Sequence, residues 1–357
     1  MNKDNYIHTP YNDEWIAQRA DPFVYRHTDG TCYFTASVPA YDRIILRAAN
    51  DLGGLVHAEE KTLWVRHESG PQSIHIWAPE IHYLFGGWYI YYAAGDKDDI
   101  WNIRPYVLHC KGQNPMKDEW EELGMMQAAD SDEFSFHAFS LDATVFEHRG
   151  EWYMTWSGWQ SRRVSTEHQC IYIAKMKNPW TLESDRVLLS KPEFEWERQW
   201  INPDGSKTAY TIYVNESPQF YKSRKGDKIF IFYSASGTWT CFYAVGMLMA
   251  DADSDLLDPD SWTKSTRPVF KQCPENKVYG PGHVSFIPSP DGKEDYLLYD
   301  ARSVENDPAG SRDSRTASTG RDTASVRVSV SSALQISRDA ADSSCSDVNA
   351  SSASADT

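Results

Sequence analysis

Five times along this chain a polar or charged residue opens a short apolar strand, a glycine turn follows, and an aromatic-rich strand returns. Asp21-Pro-Phe-Val-Tyr passes through Thr28-Asp29-Gly30 into Cys32-Tyr-Phe-Thr-Ala, and Leu141-Asp142-Ala-Thr-Val-Phe passes through Arg149-Gly150 into Trp152-Tyr-Met-Thr-Trp. The same pattern opens on Glu80, Glu216 and His283, so the five units recur at spacings of 59, 62, 74 and 67 residues. Runs of β-branched and aromatic residues bounded by Gly, Asp, Asn and Pro read as strands, and no long stretch carries helical periodicity. A period of roughly 60 to 70 residues suits a four-stranded antiparallel sheet with a long connection, and five of them predict an all-β fold, a five-bladed β-propeller. The alternative is a two-sheet sandwich, which needs no repeat of this length.

The bulk numbers narrow the partners. An apolar content of 41% supports a real core, and the 14 Trp, 20 Tyr and 14 Phe all lie at or before Tyr299. Flat rings fill cores and also stack on sugar faces, so composition permits a carbohydrate site without establishing one. A net charge of −16 argues against nucleic acid and anionic membrane surfaces and favours a neutral ligand. The six cysteines are scattered, with no close pair to build a zinc cage. With no apolar h-region near the N-terminus, scattered thiols predict a cytoplasmic protein, or a secreted one if a leader has been trimmed.

In a propeller the first strand of every blade lines the central channel, so Asp21, Glu80, Asp142, Glu216 and His283 are expected to converge near one axis. Gathering like charges costs energy without a structural return, which points to a site. Paired carboxylates can hydrolyse a glycosidic bond: one protonates the leaving oxygen, and the other activates water or attacks directly. A third nearby acid raises the proton donor's pKa by repulsion. Taken singly, each acid also reads as a turn or cap residue, and Asp21-Pro22 is a common turn pair.

At these residues the sequence resembles glycoside hydrolase family 43. The motifs are Ala20-Asp21-Pro22, Trp77-Ala78-Pro79-Glu80, Leu141-Asp142-Ala143, Asn215-Glu216-Ser217-Pro218 and Gly280-Pro281-Gly282-His283, in order over about residues 15–302. The resemblance implies a five-bladed propeller acting on arabinose- or xylose-containing glycans with inversion. It implies Asp21 as general base, Glu216 as general acid and Asp142 as the residue that tunes and orients the acid. Trp77, Glu80, Trp159 and Arg302 become candidate substrate contacts, with a structural role as the alternative for the two tryptophans. No cofactor is required. His283 either holds a structural calcium ion in the channel through waters or is a core histidine bonded to Asp21. The stretch from Phe34 to Arg43 looks most like the exo-acting arabinofuranosidase branch. A β-xylosidase, a dual enzyme and a catalytically impaired sugar-binding propeller are the alternatives.

After Arg302 the character changes: residues 303–357 hold 15 Ser and no aromatic residue. Such a segment cannot bury enough surface to offset chain entropy. The expectation is a propeller domain over 1–302 with an incomplete last blade, followed by a disordered or atypical tail over 303–357.

Overall fold

The computed structural model describes residues 15–160, 168–199, 213–293, 295–305 and 312–318. Within them the predicted alternation builds five antiparallel sheets. Blade one comprises β1 (Ala20–Arg26), β2 (Cys32–Ser37), β3 (Arg43–Ala49) and β4 (Lys61–Val65); blade two comprises β5 (Pro71–Leu84), β6 (Gly87–Asp96), β7 (Asp99–Cys110) and β8 (Trp120–Met125). Blade three comprises β9 (Ser140–His148), β10 (Glu151–Gly158), β11 (Cys170–Asn178), β12 (Thr181–Leu182) and β13 (Val187–Ser190). Blade four comprises β14 (Asn215–Lys222), β15 (Lys228–Ala235), β16 (Ala244–Asp251) and β17 (Thr263–Lys264), and blade five comprises β18 (Tyr279–Pro288), β19 (Asp295–Arg302) and β20 (Asp313–Ser318). The first strands meet in a closed ring, β1 against β5, β5 against β9, β9 against β14, β14 against β18 and β18 back against β1. This is the five-bladed propeller the spacing predicted.

Each hairpin joining a first and a second strand turns on a glycine with positive φ: Gly30, Gly86, Gly150, Gly226 and Gly292, at 66° to 91°. That conformation is cheap only for glycine, which fixes one end of every blade. The core lies between blades. Ile44 of blade one packs with Ile81 and Trp88 of blade two, Tyr91 with Val145 and Trp156 of blade three, and Ile171 with Ile231 of blade four. Phe232 then packs with Val284 and Tyr299 of blade five, and Leu298 with Phe34 and Ala36 of blade one. Each fully buried large apolar side chain contributes about 1.5–3 kcal/mol, so every blade depends on both neighbours.

The opposite end of each blade holds the site. Asp21, Ala78, Asp142, Ser217 and His283 all have positive φ, between 45° and 55°, and each sits where the pairing of a first strand with its second strand slips by one residue. A bulge re-aims a side chain, at a cost of about 1–3 kcal/mol for a non-glycine residue. Four of these amides are caught by a side chain of the preceding blade. Ala78 N–H donates to Ser37 Oγ (2.8 Å), Ser217 N–H to Asp142 Oδ2 (3.0 Å), His283 N–H to Ser234 Oγ (2.9 Å) and Asp21 N–H to Asp300 Oδ2 (3.1 Å).

Strand β20 lies beyond residue 302, where composition predicted the domain to end. It pairs with β19 from Tyr296↔Ser318 to Ala301↔Asp313. Its outer edge meets the start of the described chain: Trp15 N–H donates to Ser314 O (2.9 Å) and Ser314 N–H to Ile16 O (3.0 Å). At Ser314 the outer edge of this three-stranded blade is therefore paired with Trp15 and Ile16. The rest of the predicted tail, 319–357, lies outside the described residues.

The bulge clamps are testable. Ser234 is fully buried, and Ser234→Ala leaves the His283 amide without its acceptor. A loss of about 1–3 kcal/mol in unfolding free energy is expected, read from urea denaturation as a lower midpoint with an unchanged slope.

Candidate active site

Three predicted acids and the predicted histidine meet at the axis. Asp21 accepts from Ser37 Oγ through Oδ2 and pairs with His283 Nδ1 through Oδ1 at 3.0 Å. The same ring nitrogen lies 2.7 Å from Ser217 Oγ. Asp142 Oδ2 accepts from both the amide and the hydroxyl of Ser217, each at 3.0 Å. Glu216 accepts from Tyr243 Oη (2.8 Å) through Oε1 and from Gln169 Nε2 (2.9 Å) through Oε2. A continuous polar chain thus joins Asp21, His283, Ser217 and Asp142, with Glu216 one residue from its middle.

The environments push the carboxyls apart. Burial drives Asp21 upward, but the His283 ion pair, the Ser37 hydrogen bond and the charge of Arg312 outweigh it and hold this carboxyl below its ordinary range. Burial raises Glu216, and the donors Tyr243 and Gln169 only partly oppose it. Burial, with the charges of Glu216 and Asp21, lifts Asp142 to about 8 against the pull of His283. His283 is disfavoured as a cation by burial, yet its pairing with Asp21 raises it to about 10. At neutral pH the site holds an ionised Asp21 beside an imidazolium, and Asp142 retains its proton. Carboxyls with opposite shifts are what paired acid and base chemistry requires.

Other predicted contacts fall elsewhere. Glu80 is buried, with Oε1 taken by Gln219 Nε2 (3.0 Å) and Oε2 by His82 Nε2 (2.9 Å). It links blades two and four rather than presenting its carboxylate to a substrate. Ala78, not Glu80, occupies the bulge of blade two. Trp159 is 2% exposed and stacks on Phe139 with centroids 4.8 Å apart, so it offers no free face to a sugar; burial corrects that expectation. Arg302 is buried and its Nη1 donates to Trp239 O at 2.6 Å, a structural tie. Trp77 is half-buried and lies edge-on to Tyr41, which is 38% exposed. Burial raises the Tyr41 hydroxyl, and the charges of Asp21 and Asp300 add to that, which puts this ring beside the acids.

The sequence reading missed Ser37, Ser217, Tyr243, Gln169, Asp300 and Arg312. Ser217 stood inside a quoted motif, and Asp300 shares a strand face with Arg302, two residues on. Arg312 lay in a stretch dismissed for its composition. Tyr243 and Gln169 stand in none of the quoted motifs and carried no signal.

The implied calcium ion does not fit these residues as direct ligands. Among the described residues no group of three or more His, Cys, Asp or Glu could hold a metal, and calcium prefers oxygen donors over an imidazolium already paired with Asp21.

A five-bladed propeller whose axis gathers three carboxylates, Asp142 buried and Asp21 and Glu216 half-buried, has the fold and site of a glycoside hydrolase. The sequence model of glycosyl hydrolases family 43 matches residues 15–331. A protein of Streptomyces chartreusis named extracellular exo-α-(1→5)-L-arabinofuranosidase is 43% identical over 293 residues, covering 82% of this chain and 83% of that protein. One of the same name from Streptomyces avermitilis is 44% identical over 302 residues; the match covers 84% of this chain and 58% of that longer protein. The crystal structure of α-L-arabinofuranosidase from Lactobacillus brevis aligns with a TM-score of 0.75 at 39% identity, covering 89% of this chain and 94% of that one. This chain belongs to glycosyl hydrolases family 43.

The names of the Streptomyces relatives overturn the cytoplasmic expectation and point to a secreted enzyme. The cysteines misled for a physical reason: Cys32, Cys110, Cys170 and Cys241 form no disulfide and are buried, packed as small apolar groups that report little about compartment.

Asp142 yields a stability prediction. Its carboxyl keeps a proton in the folded chain and loses it in the unfolded chain between roughly pH 4 and about 8. The folded state binds more protons there, so this group's contribution falls as pH rises through that window. In Asp142→Asn the decline of thermal midpoint between pH 5 and 8 is expected to be shallower than in wild type, measured by calorimetry.

Proposed function

We propose that this chain is an inverting, exo-acting α-L-arabinofuranosidase that releases arabinofuranosyl residues from α-1,5-linked arabinan or arabino-oligosaccharides. Asp21 acts as general base on water, Glu216 as general acid on the leaving oxygen, and Asp142 as the group that tunes and orients Glu216. The observation that carries the reading is the contrast between Asp21, held ionised beside His283, and Glu216, raised by burial. A general base must be deprotonated and a general acid protonated at the working pH. The names of the relatives support the arabinoside, and family membership supports a pentose-containing glycan as substrate. Trp77 and Tyr41 border the pocket in this reading.

Chemistry needs only side chains here: Asp21 takes a proton from water as it attacks the anomeric carbon, and Glu216 gives one to the departing oxygen. No cofactor is required. A structural calcium ion reached from His283 through waters belongs to the reading by family resemblance alone, and dialysis against EDTA with a thermal melt tests it.

Hydrolysis of α-1,5-arabinobiose, whose sugar-alcohol leaving group needs the proton from the acid, checks the roles. Glu216→Ala and Asp21→Ala are each expected to lower turnover by about 10²–10⁴-fold, with β-D-xyloside a slower substrate for wild type. A wild type no faster than these variants would leave a sugar-binding propeller as the better account. Proton NMR of the first-formed arabinose, before mutarotation, reads the stereochemistry, and a retained anomer excludes inversion.

A further inference from the structure

Among the described residues Arg312 is the arginine whose charge acts on Asp21, and all three of its guanidinium nitrogens donate to the protein. Its side chain is 8% exposed. Nε and Nη2 grip Asp300 Oδ1 at 2.8 and 2.6 Å, Nη1 donates to Thr238 O at 2.7 Å, and Nη2 also donates to Gly280 O. Thr238 belongs to the loop between β15 and β16 and Gly280 to the start of β18, so one planar group ties three segments beside Tyr243. The guanidinium carbon lies 5.0 Å from the centroid of the Tyr243 ring. Gly282 packs on that ring as well, and a Cβ there would come 2.0 Å from Tyr243 Cε1. Tyr243 is itself buried, and its hydroxyl donates to Glu216 Oε1 at 2.8 Å.

We propose that Arg312 is a positioning residue for the general acid: held by Asp300, it fixes the Tyr243 ring against Gly282 and thereby sets the orientation of the Glu216 carboxyl, without touching the substrate. The inference rests on the proposed role of Glu216. A lysine cannot replace the guanidinium here, because its single ammonium cannot span Asp300, Thr238 O and Gly280 O or lie flat on a ring.

A misplaced acid hurts in a recognisable way. An activated aryl leaving group departs with little protonation, whereas a sugar alcohol needs the proton in the transition state. Arg312→Lys and Arg312→Ala are compared with wild type on 2,4-dinitrophenyl α-L-arabinofuranoside and on α-1,5-arabinobiose, with Glu216→Ala as the benchmark. The expected result is a kcat on arabinobiose lower by about 10- to 100-fold, a much smaller loss on the aryl glycoside, and KM within about twofold on both. Should Arg312→Ala fail to fold, Arg312→Lys carries the test. Equal losses on both substrates, a change confined to KM, or wild-type rates in Arg312→Lys would overturn the proposal.

A second measurement needs no turnover. The carboxyl ¹³C signal of Glu216 is titrated in wild type and Arg312→Lys. Glu216 faces Tyr243 just before β16, Gln169 beside β11, Asp142 of β9, Asp21 of β1 and His283 of β18. Of these, only the Tyr243 bond is predicted to loosen. That bond favours the ionised carboxyl, so its loss moves the Glu216 titration upward; an unmoved titration in the folded variant overturns the inference. A wild type that hydrolyses neither substrate but shows the titration shift would instead remove the assigned reaction and keep the positioning.

Discussion

The fold and the site both depend on one repeated interaction: a backbone amide in a bulge, captured by a polar side chain of the preceding blade. Ser37 reaches Ala78, Asp142 reaches Ser217, Ser234 reaches His283 and Asp300 reaches Asp21. A buried amide without a partner costs about 1–3 kcal/mol, and the positive φ at each bulge costs a comparable amount. Each capture offsets that cost and ties one blade to the next. The bulge turns the side chain toward the axis, so the feature that closes the ring also delivers Asp21, Asp142 and His283 to one place.

Gathering acids there requires compensation, and it is divided unequally. His283 is the cation that holds Asp21 ionised. Asp142 receives two hydrogen bonds from Ser217 but no cation within bonding distance among the described residues, and Glu216 receives two neutral donors. Carboxyls of similar intrinsic acidity are thereby separated into one held ionised, Asp21, and two shifted upward, Asp142 and Glu216. Asp300 and Arg312 stand behind both: Asp300 takes the Asp21 amide and the Arg312 guanidinium, and Arg312 lies on the tyrosine that holds Glu216.

Much of this was legible in the residue order. The five Gly turns, the aromatic returning strands and the acids opening Asp21, Asp142 and Glu216 are local patterns, and local patterns survive in a sequence. Register was less legible. Glu80 and Glu216 both seemed to open their units, yet the bulge residues are Ala78 and Ser217, so the two glutamates sit on either side of the equivalent position. Glu80, two residues past its bulge, ends bonded to Gln219 and His82, whereas Glu216, one residue before its own, stays beside the other acids. Trp159 looked like a platform because rings stack on sugars, but Phe139 already covers it. The serine-rich stretch after Arg302 failed a test of composition, although β20 needs only backbone pairing and two flanking contacts to hold it.

By itself the sequence determined the five-blade plan, the identity of the acids and the family, because periodicity, turn glycines and short motifs are properties of neighbours along the chain. The tertiary structure alone decided which acid keeps its proton, which tryptophan is covered and that Arg312 returns to the site. Those depend on burial and on partners far apart in sequence: Asp21 and His283, Asp142 and Ser217, Tyr243 and Arg312 become neighbours only when the ring closes.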